Sequence, residues 1–267
     1  MVSLKDITPI QIDKILEKEP KNRVVLVGVE LEGGWDALPK GTQVIRDGSV
    51  TFHHPINIIG ELPSPPLQLG ETFRKWMKLY YPPHINATCG MHVHMSFKHA
   101  LTYQATMRPE YPATIIAYVA KWAADKANLP LDHPIWPRLK GQSKYCQHIF
   151  QANEQALSNA KDFNQERQGH RYTIINYPWA QHTTVECRLL PMMATVTQGI
   201  EAIEEVVKIT NAFLLATAAK EPKLKIGIDE PGGNESEHIE SVIPRSEPER
   251  RRARNIILRC WDQIRSK

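Results

Sequence analysis

The chain has 267 residues, 42% of them hydrophobic and 23% charged, which is ordinary globular usage and excludes a disordered or low-complexity polymer. The formal charge of +4 hints at a nucleic-acid partner. However, residues 244–267 hold eight bases and only three acids, so the surplus is a terminal feature and the rest of the chain is close to neutral.

The length allows one large domain or two small ones. No apolar run approaches the roughly 20 residues that a membrane helix needs. The N-terminus carries acids and no apolar h-region, so no signal peptide is expected. Cys89, Cys146, Cys187 and Cys260 are scattered and form no CxxC, which argues against thiol-bound zinc and against a disulfide framework. A reduced, cytoplasmic protein is the economical expectation.

In chain order, Ile7, Ile10, Ile12 and Leu16 predict a short helix over 4–18. Residues 23–32 are rich in β-branched side chains and predict a strand that gives way to a turn at Gly33-Gly34. Residues 43–69 read as short strands and turns. A helix is expected over 71–80, a strand over 89–97 and a helix over 112–127, with Pro112 suited to its first position. A further helix is expected over 149–161. The runs 171–178 and 183–190 are strand-like and close enough to pair. A long helix over 196–219, a Pro/Gly/Glu-rich loop over 220–248 and a basic helix over 249–265 close the chain. Without regular βαβ alternation, the expected class is α+β with a mainly antiparallel sheet.

The chemistry lies in three polar pairs spaced i, i+2 on predicted strands, where such residues share a face. Glu30 and Glu32 end a stripe formed by Val24, Leu26 and Gly28. His92 and His94 share a face opposite Met91, Val93 and Met95. Glu186 and Arg188 share one opposite Val185, Cys187 and Leu189. Any one pair has a plain explanation: a solvated strand face, two structural histidines, a surface ion pair. The cupin reading of HxH loses support because Phe97 and Lys98 stand where an acid is needed. Together, the three pairs would line one sheet surface with carboxylates, imidazoles and a guanidinium. Half-buried carboxylates are costly unless paired or bound to a cation. Such a surface suits magnesium or manganese, and Asp47 and Glu61 could complete it.

The string Cys89-Gly90-Met91-His92-Val93-His94-Met95-Ser96 resembles the GSGMHxHxS motif of glutamine synthetases. Gly28-Val29-Glu30-Leu31-Glu32 resembles the GxExE strand of that superfamily, and Val185-Glu186-Cys187-Arg188-Leu189-Leu190-Pro191 its VExRxxP strand. Arg171 to Pro178 sits where those enzymes carry an arginine-bearing segment. Asp47-Gly48-Ser49 and Gly60-Glu61-Leu62-Pro63-Ser64-Pro65 resemble the DGS…ELxSP pattern of the amidoligases, compact relatives of glutamine synthetase and glutamate–cysteine ligase often encoded by phages and mobile elements. The resemblance spans residues 24–219.

The resemblance implies a glutamine synthetase-like fold over 1–219, a curved antiparallel sheet with helices on one face. It also implies an ATP-dependent carboxylate–amine ligase working through an acyl phosphate with two or three Mg2+ ions, or Mn2+. Glu30, His92 and Glu186 would hold one ion, and Glu32, Asp47 and Glu61 another. His94 would lie near the nucleotide. Arg171 and Arg188 would contact transferred phosphate, with Asn176 beside them where glutamine synthetases have a second arginine. Arg171, Arg188 and Glu61 are thus the expected catalytic set, although the residues alone do not name the base that deprotonates the amine. The partners would be small-molecule or peptide carboxylates and amines, with no membrane and no call for nucleic acid. A guanidino kinase-like phosphotransferase and a non-catalytic binding protein with a basic tail are the competing readings. Trp76, Trp122, Trp261 and Cys187 are expected in the core, and at most one of His53 and His54 could reach the site.

Overall fold

Val24, Val25, Val27 and Val29 favour extended backbone, and strand β1 spans Val24–Trp35. This computed structural model describes residues 23–97, 106, 110–147, 172–178 and 184–220, with side chains to 217. The expected helices over 4–18, 149–161 and 249–265, Arg171, Cys260, Trp261 and the 220–248 loop past Lys220 lie outside the described residues.

β1 does not turn at Gly33-Gly34 as the sequence predicts; it runs through both glycines to Trp35. The reason is close approach. A Cβ on Gly33 would stand 2.5 Å from Pro82 Cβ, and one on Gly34 would stand 2.9 Å from Ile56. Here glycine lets neighbouring chain pack onto the strand rather than bending it. A bulge between Val24 and Leu26 is a second departure. It turns Val24 into the core and leaves Val25 exposed, so Val24 does not share the face of Glu30 and Glu32.

Four more strands complete one antiparallel sheet: β2 (Ile58–Pro63), β3 (Gly90–Phe97), β4 (Ile175–Asn176) and β5 (Val185–Pro191), in the order β2-β1-β3-β5-β4. The two runs expected near 171–190 do pair, but β4 is only two residues long. Among the described residues, four helices accompany the sheet: α1 (Glu71–Tyr80), α2 (Glu110–Lys121), the short α3 (Ile135–Leu139) and α4 (Val196–Lys220). The class is therefore α+β, as composition and pattern imply. Pro112 is the third residue of α2, not the first; the missing N–H costs nothing anywhere in the first turn. A π-helical turn at Trp122–Lys126 extends α2 across most of its expected range.

The sheet has two different faces. Val27, Val29, Leu31, Leu62, Met91, Val93, Met95, Ile175, Val185, Cys187 and Leu189 are all buried. α2 and α4 pack together through Tyr111, whose hydroxyl meets Thr210 Oγ1 at 2.9 Å and whose ring lies 5.3 Å from that of Phe213. Asn211 of α4 accepts hydrogen bonds from the backbone N–H groups of Arg23 and Val24, tying the helix to the start of β1. Trp122 and Cys187 are buried and Trp76 packs against the core, as expected. No helix among the described residues is long and apolar enough to cross a membrane.

Candidate metal centre

The opposite face is built by strand alternation and register alone. Directly paired residues share a face. Glu32 pairs with Glu61, Glu30 with His92, His94 with Glu186, and Glu186 with Asn176. Five strands therefore deliver four carboxylates, two imidazoles, an amide and, through Arg188, a guanidinium to one patch. Arg188 lies two residues along β5 from Glu186, on the same face, and is its ion-pair partner.

His92 stands at the centre. Its Nδ1 is 3.0 Å from Glu30 Oε2 and 3.5 Å from Glu186 Oε1, and its Nε2 is 3.5 Å from Glu32 Oε1. Two donor sets result, Glu30–His92–Glu186 and Glu32–Glu61–His92, each with ligand atoms within 4.8 Å of one another. Three oxygen and nitrogen donors that close, largely buried and rich in carboxylate, fit a hard divalent cation. The first set is the one expected for the first ion. The second departs from expectation: Glu32 and Glu61 come together, but Asp47 is not with them. Asp47 turns its Oδ1 back to accept the Ser49 N–H at 2.7 Å. It still lines the adjoining cleft, because Ile45 exchanges backbone hydrogen bonds with Glu61 in both directions at 2.8 Å. Gly60 permits this; its φ is +155° and a Cβ there would stand 2.2 Å from Ile45 O.

Electrostatics follow from the crowding. Burial alone would raise Glu30, but hydrogen bonds with His92 and His94 and their charge outweigh it and hold the carboxyl far below the usual range. Burial likewise opposes protonation of His94, yet its bond to Glu30 and the charge of Glu186 raise its pKa. Glu61 goes the other way. Burial, then the charge of Glu30, push it up to about 7, with Glu32 and Asp47 adding to the repulsion.

The supporting shell is specific. Asn176 Nδ2 donates to Glu186 Oε2 at 2.6 Å, and the Gly90 N–H donates to Glu32 Oε2. His94 Nδ1 meets Thr184 Oγ1 at 2.9 Å, and its Nε2 lies 3.0 Å from Glu30 Oε1. His94 thus sits within the carboxylate cluster, and Asn176 orients Glu186. Arg188 pairs with Glu186 through Nη1, while its buried Nε has no hydrogen-bond partner among the described residues. Such a group costs about 1–3 kcal/mol. His53 and His54 are exposed and join neither donor set.

Arg138 is the residue that sequence reasoning missed. It is 5% exposed and lines the same cleft as Arg188 and Glu32. A lone arginine in Ile135-Trp136-Pro137-Arg138-Leu139, among apolar neighbours, is the signal: charge at a buried position needs a partner. Compared with protein-family models, characterised proteins and solved structures, the chain finds no match.

Proposed function

We propose that the chain is an ATP-dependent carboxylate–amine ligase that activates its carboxylate as an acyl phosphate. The observation that carries this reading is the placement of His92 between two carboxylate pairs, Glu30 with Glu186 and Glu32 with Glu61, beside an arginine-lined cleft. A carboxylate and an amine do not condense usefully in water, so the acid must be activated, and phosphoryl transfer demands charge neutralisation more than covalent help. Magnesium or manganese bound by Glu30, His92 and Glu186, and by Glu32 and Glu61, would neutralise polyphosphate charge. Arg188 would donate its unsatisfied N–H to an oxygen of the transferred group. Glu186 keeps that guanidinium oriented, and Asn176 keeps Glu186 oriented. A carboxylate of the second donor set, Glu32 or Glu61, would be ionised once metal is bound and would be placed to take the proton that the amine must lose before it attacks the acyl phosphate. The sequence motifs, in family order on adjacent strands, support the same assignment; Arg171, expected to assist, is outside the described residues.

The test is ADP release with Mg2+ across a panel of carboxylates and amines, followed by product mass. The ligase reading expects ADP formation that needs both partners and a product lighter than their sum by one water. ADP formed with a guanidine alone, and a phosphorylated guanidine as product, would establish a phosphotransferase instead.

A further inference from the structure

The mechanism above uses one guanidinium, yet the cleft holds two. Arg138 reaches it from α3, and Arg188 from β5. Three of the five N–H bonds of Arg138 go to carbonyl oxygens: Nη1 to Arg188 O at 3.2 Å and Leu190 O at 3.3 Å, and Nη2 to Cys89 O at 3.3 Å. These three bonds leave two of its N–H groups uncommitted to a carbonyl. No carboxylate lies within salt-bridge distance of it among the described residues, although Glu32 is near enough to be felt. Burial, and then the charge of Arg188, work against its positive charge. Arg188 is ion-paired with Glu186 but its Nε is unsatisfied, and Arg138 has no carboxylate at salt-bridge distance among the described residues, so an anion in this cleft would satisfy N–H bonds on both.

We propose that Arg138 and Arg188 together form an oxyanion subsite in this cleft, taking a phosphate or carboxylate group of the substrate alongside the metal ions. The inference rests on the metal-centre reading above and adds Arg138 to it. It makes anion and metal bind with positive coupling. The guanidiniums repel a bare cation, and an oxyanion seated on them removes that repulsion, so each ligand strengthens the other by the same factor.

Calorimetric titration of the full chain tests this with pyrophosphate, succinate and Mn2+, singly and in combination. Wild type is expected to bind pyrophosphate or succinate, and the one it prefers identifies the group as phosphate or carboxylate. Arg138→Gln is expected to weaken that anion by about 10-fold or more, while Mn2+ alone binds as tightly as before or more tightly, because a repelling charge has gone. A variant that binds the anion like wild type overturns the proposal. So does one that loses Mn2+ and anion together, because that is the behaviour of a clamp on three carbonyls. Should Arg138→Gln fail to fold, Arg138→Lys decides. It keeps the charge and loses the fork, so anion affinity should fall with Mn2+ affinity unchanged; unchanged anion affinity overturns the proposal. Failure of wild type to bind Mn2+ would sink the metal centre, while pyrophosphate alone would still judge the anion subsite. Binding of neither anion by wild type overturns it directly.

Discussion

Glu32 on β1 and Glu61 on β2 face each other directly across the ladder. Like charges directly opposite are destabilising in an antiparallel pair. This pair is relieved by a proton on Glu61, whose pKa burial and neighbouring acids push to about 7. A divalent cation would replace that proton.

Metal affinity should therefore rise with pH between about 6 and 8, because the proton on Glu61 must leave. Titration of Mn2+ in buffers of different ionisation enthalpy should show proton release that shrinks as pH rises. The stability sign is opposite for the metal-free chain. The raised pKa means the folded state holds its proton more tightly than the unfolded one. Glu61 therefore stabilises fully below its ordinary pKa of 4.5, and this contribution fades as pH rises through about 7. Melting curves with and without Mg2+ across that range should diverge as pH increases.

Glu30→Gln, His92→Ala and Glu186→Gln should each abolish ATP-dependent ligation with the fold retained. Each removes a direct donor, and His92→Ala removes one from both sets. The loss should exceed the roughly 10–100-fold typical of residues that merely support a ligand. Circular dichroism checks the fold, and ADP release checks the activity. Wild-type-like turnover in any folded variant would count against the metal assignment.

Asn176→Ala removes no ligand, only the 2.6 Å hydrogen bond that aims Glu186. Its cost should fall within about 10–100-fold in metal affinity. A larger loss would mean that Asn176 touches the ion or the nucleotide itself.

A matched pair of glycines tests packing against the cluster. A Cβ on Gly90 would lie 2.9 Å from Glu32 Oε2 and 3.1 Å from both Arg138 Nη1 and His92 Nε2. Gly90→Ala should cost about 1–3 kcal/mol and weaken Mn2+ binding although no donor is lost. A Cβ on Gly28 would meet only His94 Cβ, at 3.5 Å, an ordinary contact. Gly28→Ala should leave metal affinity unchanged. Calorimetry on both variants decides.

Much of this site is legible in the sequence because strands obey a period of two. Glu30 with Glu32, His92 with His94 and Glu186 with Arg188 each share a face by arithmetic alone, and the long run of α4 is legible from its apolar spacing. What arithmetic cannot supply is the other half of each contact. Gly33-Gly34 looks like a turn in sequence and proves to be a strand, because Pro82 and Ile56, distant in the chain, come in over it. Val24 leaves its stripe at a bulge that no local pattern marks. Asp47 carries the motif but spends an oxygen on its own turn at Ser49. Arg138 has no motif at all; only the fold brings it against Cys89, Arg188 and Leu190.

The two donor sets share His92, and a neutral imidazole offers one lone pair. If two ions bind, one would take it and the other would be left with carboxylates and water. The measurement that tests this most directly is the stoichiometry of Mn2+ bound per chain, followed by electron paramagnetic resonance. Two ions of unequal affinity are predicted, spin-coupled through their closeness, with the tighter one lost in His92→Ala. No bound Mn2+, or two uncoupled ions indifferent to His92→Ala, would contradict a shared metal centre on this face of the sheet.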